Sequence, residues 1–235
     1  MIIDCHAHIG YENDYEQQDV ELLLKKMSEA KVDKCVIFPF APLSHSDSYY
    51  GQNEEIAKLN NPFIPFGRIN LLSSDYMDEI DHISSLNLKG VKLHNTLNEN
   101  FSEYPEFFKK LDELGLPILV HTGNLQSQRV EYLKDLPCFS SPIIIGHGGK
   151  DYFNDAISLV NDRPNFYIEL SLLSLMRTRK VLDLVVDKRK ILFGSDAPYH
   201  HPKLEIEKVK YACEACNKRE LIKDILGNNL RRIIK

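Results

Sequence analysis

The sequence contains no hydrophobic run near the roughly 20 consecutive apolar residues that a membrane-spanning helix needs. A strand-like segment begins at Ile2, so no signal peptide is expected ahead of it. The chain also lacks a basic excess: 29 Lys and Arg stand against 34 Asp and Glu, the net charge is −5, and neither sign forms a long run. This balance argues against nucleic acid and anionic membranes as partners.

A disulfide framework is also missing. The five cysteines are odd in number and scattered along the chain, which suits reduced thiols. Together these absences predict a cytoplasmic protein that acts on a small molecule, either alone or as a homodimer.

What the sequence does contain is a repeated alternation of short apolar runs and longer amphipathic segments. Helical patterns, with apolar residues three and four apart, cover 20–32, 53–60, 76–86, 104–115, 128–136, 152–163 and 173–188, and two more follow at 204–217 and 219–235. Eight β-type runs alternate with them: MIIDCHAH (1–8), KCVIFPF (34–40), FIPFGRIN (63–70), LKGVKLHN (88–95), LPILVHTG (116–123), PIIIGHGG (142–149), NFYIELSL (165–172) and KILFGSDAP (190–198).

This alternation predicts a parallel sheet. Each run is separated from the next by about one strand–helix unit, and no linker or low-complexity tract interrupts them. Eight units over residues 1–235 predict one domain with an α/β fold, the closed (β/α)₈ TIM barrel. An open doubly wound sheet is the alternative. The GxGxxG motif that would support this alternative does not follow the first run.

Polar side chains concentrate where these runs end. In a parallel barrel the carboxyl ends of the strands and the loops after them build the active site. Five of the nine histidines lie there, and His6 and His8, two residues apart on a strand, project to one face. Asp4 shares that face in a regular strand, either orienting an imidazole or filling the barrel floor as a buried polar residue. The full set at the strand ends is His6, His8, Lys92, His94, His121, His147 and Asp196.

Imidazoles and a carboxylate are the donors that Zn²⁺ or a similar divalent ion accepts, with a position left for water. His121 and His147 come from neighbouring runs and Asp196 from the last. The set therefore predicts a metal site at the C-terminal face of the barrel.

The chain resembles the amidohydrolase superfamily, in its amidohydrolase-2 branch of aminocarboxymuconate-semialdehyde decarboxylase-like proteins. The resemblance rests on DCHAHIG (4–10), GVKLHN (90–95), VHTG (120–123), GHGG (146–149), GSDAPY (194–199) and ILGNNLRRII (225–234). It implies that one metal ion, usually zinc, is held by His6, His8, His121 and Asp196. It also implies that His147 acts beside the metal as an acid–base or carbonyl-polarising residue.

The fourth run departs from the simple pattern because it carries Lys92 and His94. In binuclear members of the superfamily a lysine at this place is carboxylated and bridges two metals, so two ions are an alternative to one. Otherwise Lys92 or His94 is expected to contact an anionic group of the substrate, or Lys92 to hydrogen-bond behind the ligands. Arg68 is a candidate carboxylate clamp, with a solvated loop arginine as the alternative.

Two reactions fit these residues. In hydrolysis of an amide, lactone or ester, Asp196 takes a proton from a metal-activated water and His147 stabilises the oxyanion or protonates the leaving group. In decarboxylation the same site delivers a proton to the carbon that carries the carboxylate of an unsaturated or aromatic acid. A TatD-like nuclease, which normally has a glutamate on strand 4, and a metal-binding barrel without turnover are less favoured.

Overall fold

The computed structural model describes residues 1–11, 16–40, 48–94, 101–136 and 140–234. Its strands alternate with helices, as the sequence predicts, and all but one of the strand pairings are parallel. The strands are β1 Ile3–Tyr11, β2 Gln17–Gln18, β3 Lys34–Pro39, β4 Phe63–Pro65, β5 Gly67–Ile69, β6 Val91–Leu93, β7 Ile118–Val120, β8 Ile143–Ile145, β9 Phe166–Glu169 and β10 Ile191–Leu192.

The strands close into a barrel through two seams. The ladders run β2-β1-β3-β4 and β5 through β10 in order. At one seam Phe66 separates β4 from β5 and donates its main-chain N–H to the carbonyl of Ile37 at 2.8 Å. At the other, Cys5 donates to the carbonyl of Phe193 at 3.1 Å and Asp196 donates to that of His6 at 2.7 Å. The predicted eight-stranded barrel is confirmed, with β4 and β5 forming its interrupted third strand and β2 an antiparallel addition to β1.

The helices are α1 Val20–Ala30, α2 Tyr50–Ala57, α3 Tyr76–Ser85, α4 Pro105–Leu114, α5 Phe153–Asp162, α6 Leu175–Leu184, α7 Pro202–Ala215 and α8 Asn229–Arg231. Their ends follow local chemistry. The Asp19 side chain caps α1 by accepting from the N–H of Leu22, and α4 has proline in its first turn and ends at Gly115 with φ 66°. Within the described ranges, no helix is long and apolar enough to cross a membrane.

Two helical expectations need correction. The segment 128–136 is not an α-helix: the chain forms 3₁₀ turns at Gln126–Gln128 and Val130–Leu133. Val130, Leu133 and Leu136 are nevertheless buried, because the tighter turn also brings apolar residues of similar spacing to one face. The segment 219–235 is likewise divided, into a 3₁₀ turn, a π-helical turn at Asp224–Asn228 and α8.

The barrel strands alternate between two cores. Val36, Leu119 and Ile144 belong to a core inside the barrel, whereas their neighbours along each strand pack outward against the helices. Ionisable side chains replace the inward apolar residues at Arg68 of β5, Lys92 of β6 and Glu169 of β9, and all three are buried. The interior therefore becomes polar toward the ends of these strands.

β1 changes its alternation part-way along. Its pairing with β3 is irregular between Asp4 and Ala7, so Cys5 packs in the inner core and yet His6 and His8 also lie inside the barrel. Asp4 contacts main chain rather than an imidazole: Oδ1 accepts from the N–H of His6 at 3.1 Å and of Ser195 at 2.9 Å. Asp4 thus ties the irregular part of β1 to the segment after β10.

Candidate metal centre

Asp196 lies at the centre of the polar cluster that the strand ends bring together. Its Oδ1 is 3.0 Å from Nε2 of His6 and 3.1 Å from Nε2 of His8. His147 approaches the other oxygen, with Nδ1 3.9 Å from Oδ2. One ligand-type atom each from His6, His147 and Asp196 lies within 4.8 Å of the others, a grouping that could hold a metal ion.

The protonation states of these groups suit a divalent cation. Burial lowers the pKa of His8 to about 3 and holds that of His147 well below its usual value, so both imidazoles are neutral. Burial alone would raise the pKa of Asp196, but the charge of His6 and contacts with His147 and His8 hold it well below its usual range. Among the described residues, the buried Nδ1 of His8 has no hydrogen-bond partner.

A second buried carboxylate, Glu169, makes the need for a cation stronger. Its Oε1 is 3.1 Å from Nδ1 of His6. Burial opposes its ionisation, yet the charge of His6 and the hydrogen bond with it bring the pKa of Glu169 down to about 2. Asp196 and Glu169 are therefore two buried negative charges in the same cluster. A divalent ion would balance them, so the donor set and the charge both fit a metal.

Lys92 lies inside this cluster. Its Nζ is 3.3 Å from Nε2 of His6 and 4.8 Å from the centre of the Phe38 ring. Burial lowers its pKa to about 7. A lysine that exchanges its proton near neutrality is suited to carboxylation or to hydrogen bonding behind the ligands, and both stay predictions.

Arg68 is not a solvated loop residue, contrary to one expectation. It belongs to β5 and is buried, with Nη1 donating to the carbonyl of Pro39 at 2.9 Å and Nη2 2.9 Å from Nδ1 of His94. The guanidinium also lies 5.2 Å from the centre of the Tyr49 ring. Arg68 thus reaches the site through His94, whose ring centre is 3.9 Å from that of His121.

His121, predicted as a ligand, contacts another imidazole. Its Nδ1 is 3.0 Å from Nε2 of His147. Burial, with the charges of His94 and Lys92, holds the pKa of His121 well below its usual value. Its part in metal binding stays a prediction, because the close grouping contains His6, His147 and Asp196 but not His121.

Glu169 and Ser171 were missed in the sequence. Ser171 Oγ is 2.7 Å from Oε1 of Glu169 and 2.8 Å from Nδ1 of His147, so the two residues connect His6 to His147. A signal was available: in NFYIELSL the apolar Phe166 and Ile168 pack outward, which turns Glu169 inward at the end of its strand.

A cavity of about 280 Å³ opens above the cluster. The turn after β8 shapes it, since φ is positive at His147 (55°), Gly148 (54°), Gly149 (81°) and Lys150 (42°). Such angles are rare for non-glycine residues and are maintained where the surroundings enforce them. The lining includes His8, His94, His121, His147, Asp196, Glu16, Lys150, Leu172 and Tyr199.

Comparison with known proteins identifies the family. Residues 3–235 match the family model described as amidohydrolase, in its second type. The chain belongs to this amidohydrolase family. The predicted resemblance is thereby confirmed over nearly the whole chain, and with it the expectation of metal-dependent hydrolase or decarboxylase chemistry. Comparison with curated proteins found no match.

Solved structures of similar fold include proteins of both reaction types. One, a probable 2-pyrone-4,6-dicarboxylic acid hydrolase from Acinetobacter baumannii with citric acid bound, has a TM-score of 0.71 at 15% identity over 99% of this chain and 98% of that one. The 5-carboxyvanillate decarboxylase from Sphingomonas paucimobilis gives 0.72 at 15%, over 99% and 98%. A dihydroxybenzoic acid decarboxylase from Polaromonas with bound manganese gives 0.72 at 14%, over 99% and 96%. These likenesses show a shared fold.

Proposed function

We propose that this amidohydrolase hydrolyses a small ester, lactone or amide with the help of a divalent metal ion. The observation that carries the proposal is the position of Asp196. Its ionised carboxylate contacts Nε2 of His6 and of His8, lies beside His147 and lines the cavity. A carboxylate so placed can both face a cation and accept a proton from a water molecule.

We propose zinc as the metal, one ion per chain, with His6, His8, His121 and Asp196 as the residues that hold it. Imidazole and carboxylate donors suit zinc, and also manganese. When bound, such an ion polarises a carbonyl group and lowers the pKa of water. Two ions remain the alternative, with a carboxylated Lys92 between them.

Each residue of the site then has a separate role in this reaction. Asp196 accepts a proton from the attacking water, and His147, neutral because it is buried, can take up that proton and then deliver it to the leaving oxygen or nitrogen. His94 meets the substrate at the cavity wall, and Arg68 holds the His94 ring in place. Lys92 stays within the cluster, where its ammonium can face a developing negative charge.

Decarboxylation is the second candidate, favoured by cationic groups around the cavity. Lys150 lines the cavity, and Arg68 lies behind His94. A carboxylic acid held there would lose carbon dioxide when the carbon bearing the carboxylate takes a proton that His147 or Asp196 has first accepted from water. Two of the similar structures named above are decarboxylases.

One assay separates the two reactions. The protein is stripped of metal, reloaded with Zn²⁺ or Mn²⁺, and incubated with lactones, esters, amides and aromatic or enoic carboxylates. We expect acid release from a neutral carbonyl substrate, without carbon dioxide, that depends on added metal and is lost in Asp196→Asn. Release of carbon dioxide alone would contradict hydrolysis and would show that the protein is a decarboxylase.

We also propose a small molecule as the partner and the cytoplasm as the location, with a homodimer as the assembly to be tested by light scattering. The net charge of −5 supports the absence of nucleic acid.

A further inference from the structure

We propose that Glu169 is a positioning residue that fixes which nitrogen of His6, His147 and His121 carries the proton, so that Nδ1 of each ring is protonated and Nε2 of His6 and of His121 is left available to a metal ion. The consequence for metal binding rests on the proposed function. The proton arrangement itself follows from contacts among the described residues.

The first step is the contact between Glu169 and His6. An ionised carboxylate can only accept hydrogen bonds, and Oε1 of Glu169 is 3.1 Å from Nδ1 of His6. Nδ1 of His6 therefore carries a proton. The other nitrogen, Nε2, is the one that lies 3.0 Å from Asp196, where a metal ligand is needed. Glu169 thus orients the ring and leaves Nε2 as the nitrogen whose proton a metal ion would displace to solvent.

Ser171 carries the same constraint to His147. The Ser171 hydroxyl has one proton and lies 2.7 Å from Oε1 of Glu169, which can only accept it. Ser171 Oγ must then accept from Nδ1 of His147, at 2.8 Å. Neutral His147 consequently has no proton on Nε2.

The last step reaches His121. Nε2 of His147 is 3.0 Å from Nδ1 of His121, and one of the two nitrogens must donate. Because Nε2 of His147 has no proton, Nδ1 of His121 donates, and Nε2 of neutral His121 is left as a lone pair. A single buried carboxylate thereby directs the protons of three imidazoles that come from β1 and from the segments after β7 and β8.

Main-chain N–H groups around Glu169 hold its carboxylate in place. Oε1 of Glu169 also accepts from the main-chain N–H of His147, and Oε2 accepts from that of Ser171 at 2.8 Å. A Cβ at Gly194 would lie 2.5 Å from Oε2 of Glu169 and 3.0 Å from Cβ of His6. Glycine at position 194 therefore leaves the space in which the carboxylate meets β1.

Nitrogen-15 spectra of the imidazoles test the proposal directly. In metal-free wild type we expect the proton of His147 and of His121 on Nδ1, and in the zinc-loaded protein we expect the proton of His6 on Nδ1. Glu169→Gln is expected to lose this uniform pattern and to weaken zinc binding about 10- to 100-fold in competition with a chromophoric chelator. Ser171→Ala is expected to change the His147 and His121 signals and to leave His6 unchanged.

Glu205→Gln is the matched control, because Glu205 is another buried carboxylate but is paired with Lys208 and His200 away from the cluster. We expect wild-type tautomers and zinc affinity in this variant. A proton on Nε2 of His147 in wild type overturns the proposal even if no variant folds. So do unchanged tautomers and zinc affinity in a folded Glu169→Gln protein. If the protein hydrolyses none of the carbonyl substrates, only the proposed function is contradicted, because the tautomers are measured without turnover.

Discussion

Asp196 and His6 contact each other twice, once through the main chain and once through their side chains. The N–H of Asp196 donates to the carbonyl of His6 at 2.7 Å, and Oδ1 lies 3.0 Å from Nε2 of the same histidine. The first contact belongs to the seam that closes the barrel, and the second belongs to the candidate metal centre. The same pair of residues therefore takes part both in the closure of the barrel and in the candidate metal centre, although the two are 190 positions apart in the chain.

Asp196→Asn separates these two contacts. The main-chain bond remains, whereas the carboxylate that His6 and His8 keep ionised is replaced by a neutral amide, so the metal-free variant should unfold below the wild-type temperature. Its activity should fall by roughly 10²- to 10⁴-fold, as loss of a general base does. Added zinc should no longer raise the unfolding temperature, because a ligand stabilises only the state that binds it. Calorimetry with and without zinc checks this, and a zinc-dependent rise equal to that of wild type would contradict it.

The number of metal ions depends on Lys92. We expect about one equivalent of zinc per chain in the purified protein, since three imidazoles and one carboxylate complete a single site. Elemental analysis measures this value. About two equivalents that fall to one when bicarbonate is excluded would show a carboxylated Lys92 instead. Lys92→Met should then lose one equivalent in the two-ion case and none in the one-ion case.

Lys150 is expected to select substrates with a negative group. It lines the cavity and is only half-buried, whereas Lys92 and Arg68 are enclosed. Lys150→Met should raise KM about tenfold for a lactone that carries a carboxylate, equivalent to about 1.4 kcal/mol, with little change for its methyl ester. Steady-state kinetics on the two compounds measure this difference. Lys25→Met, on the exposed face of α1, is the control, and equal effects on acid and ester would exclude the assignment.

Much of the barrel could be predicted because the local sequence of each strand already indicates a strand. Runs such as PIIIGHGG are apolar on both faces, which is typical of parallel strands covered by helices. The irregular pairing of β1 between Asp4 and Ala7 could not be predicted, because it depends on how the strand meets its neighbours. Asp4, expected either to orient an imidazole or to lie as a buried polar residue in the barrel floor, is buried there and accepts from main-chain N–H groups.

The site was predictable where residue type alone indicates chemistry. Histidines and an aspartate that gather at the ends of parallel strands are typical of a metal site, so the sequence predicts His6, His8 and Asp196 as ligands. The structure brings these three side chains together, and their part in metal binding stays a prediction. Glu169 was missed because one carboxylate in an apolar run has no pattern of its own. The environment of Arg68 depends on Pro39 and His94, from two other parts of the chain, and no local signal contains that information.

Glu79 predicts a pH dependence of stability that is separate from the metal centre. This residue of α3 is fully buried, and burial raises its pKa to about 7 from 4.5, although the N–H of Tyr49 donates to it. The folded protein therefore holds a proton that the unfolded chain releases between pH 4.5 and 7. Glu79 contributes stability below this window, and the contribution is lost as the pH rises through it, by about 3 kcal/mol in all.

Glu79→Gln removes this dependence, because the amide is neutral at every pH and its oxygen can still accept from Tyr49. Urea unfolding of metal-free protein between pH 5 and 8 should show that wild type loses stability with rising pH relative to the variant. The exposed Glu113→Gln is the control and should follow wild type, since its side chain is exposed to solvent in the folded protein as in the unfolded chain. Parallel stability curves for wild type and Glu79→Gln would mean that the Glu79 carboxyl is ionised in the folded protein throughout this range, and that burial does not govern its protonation.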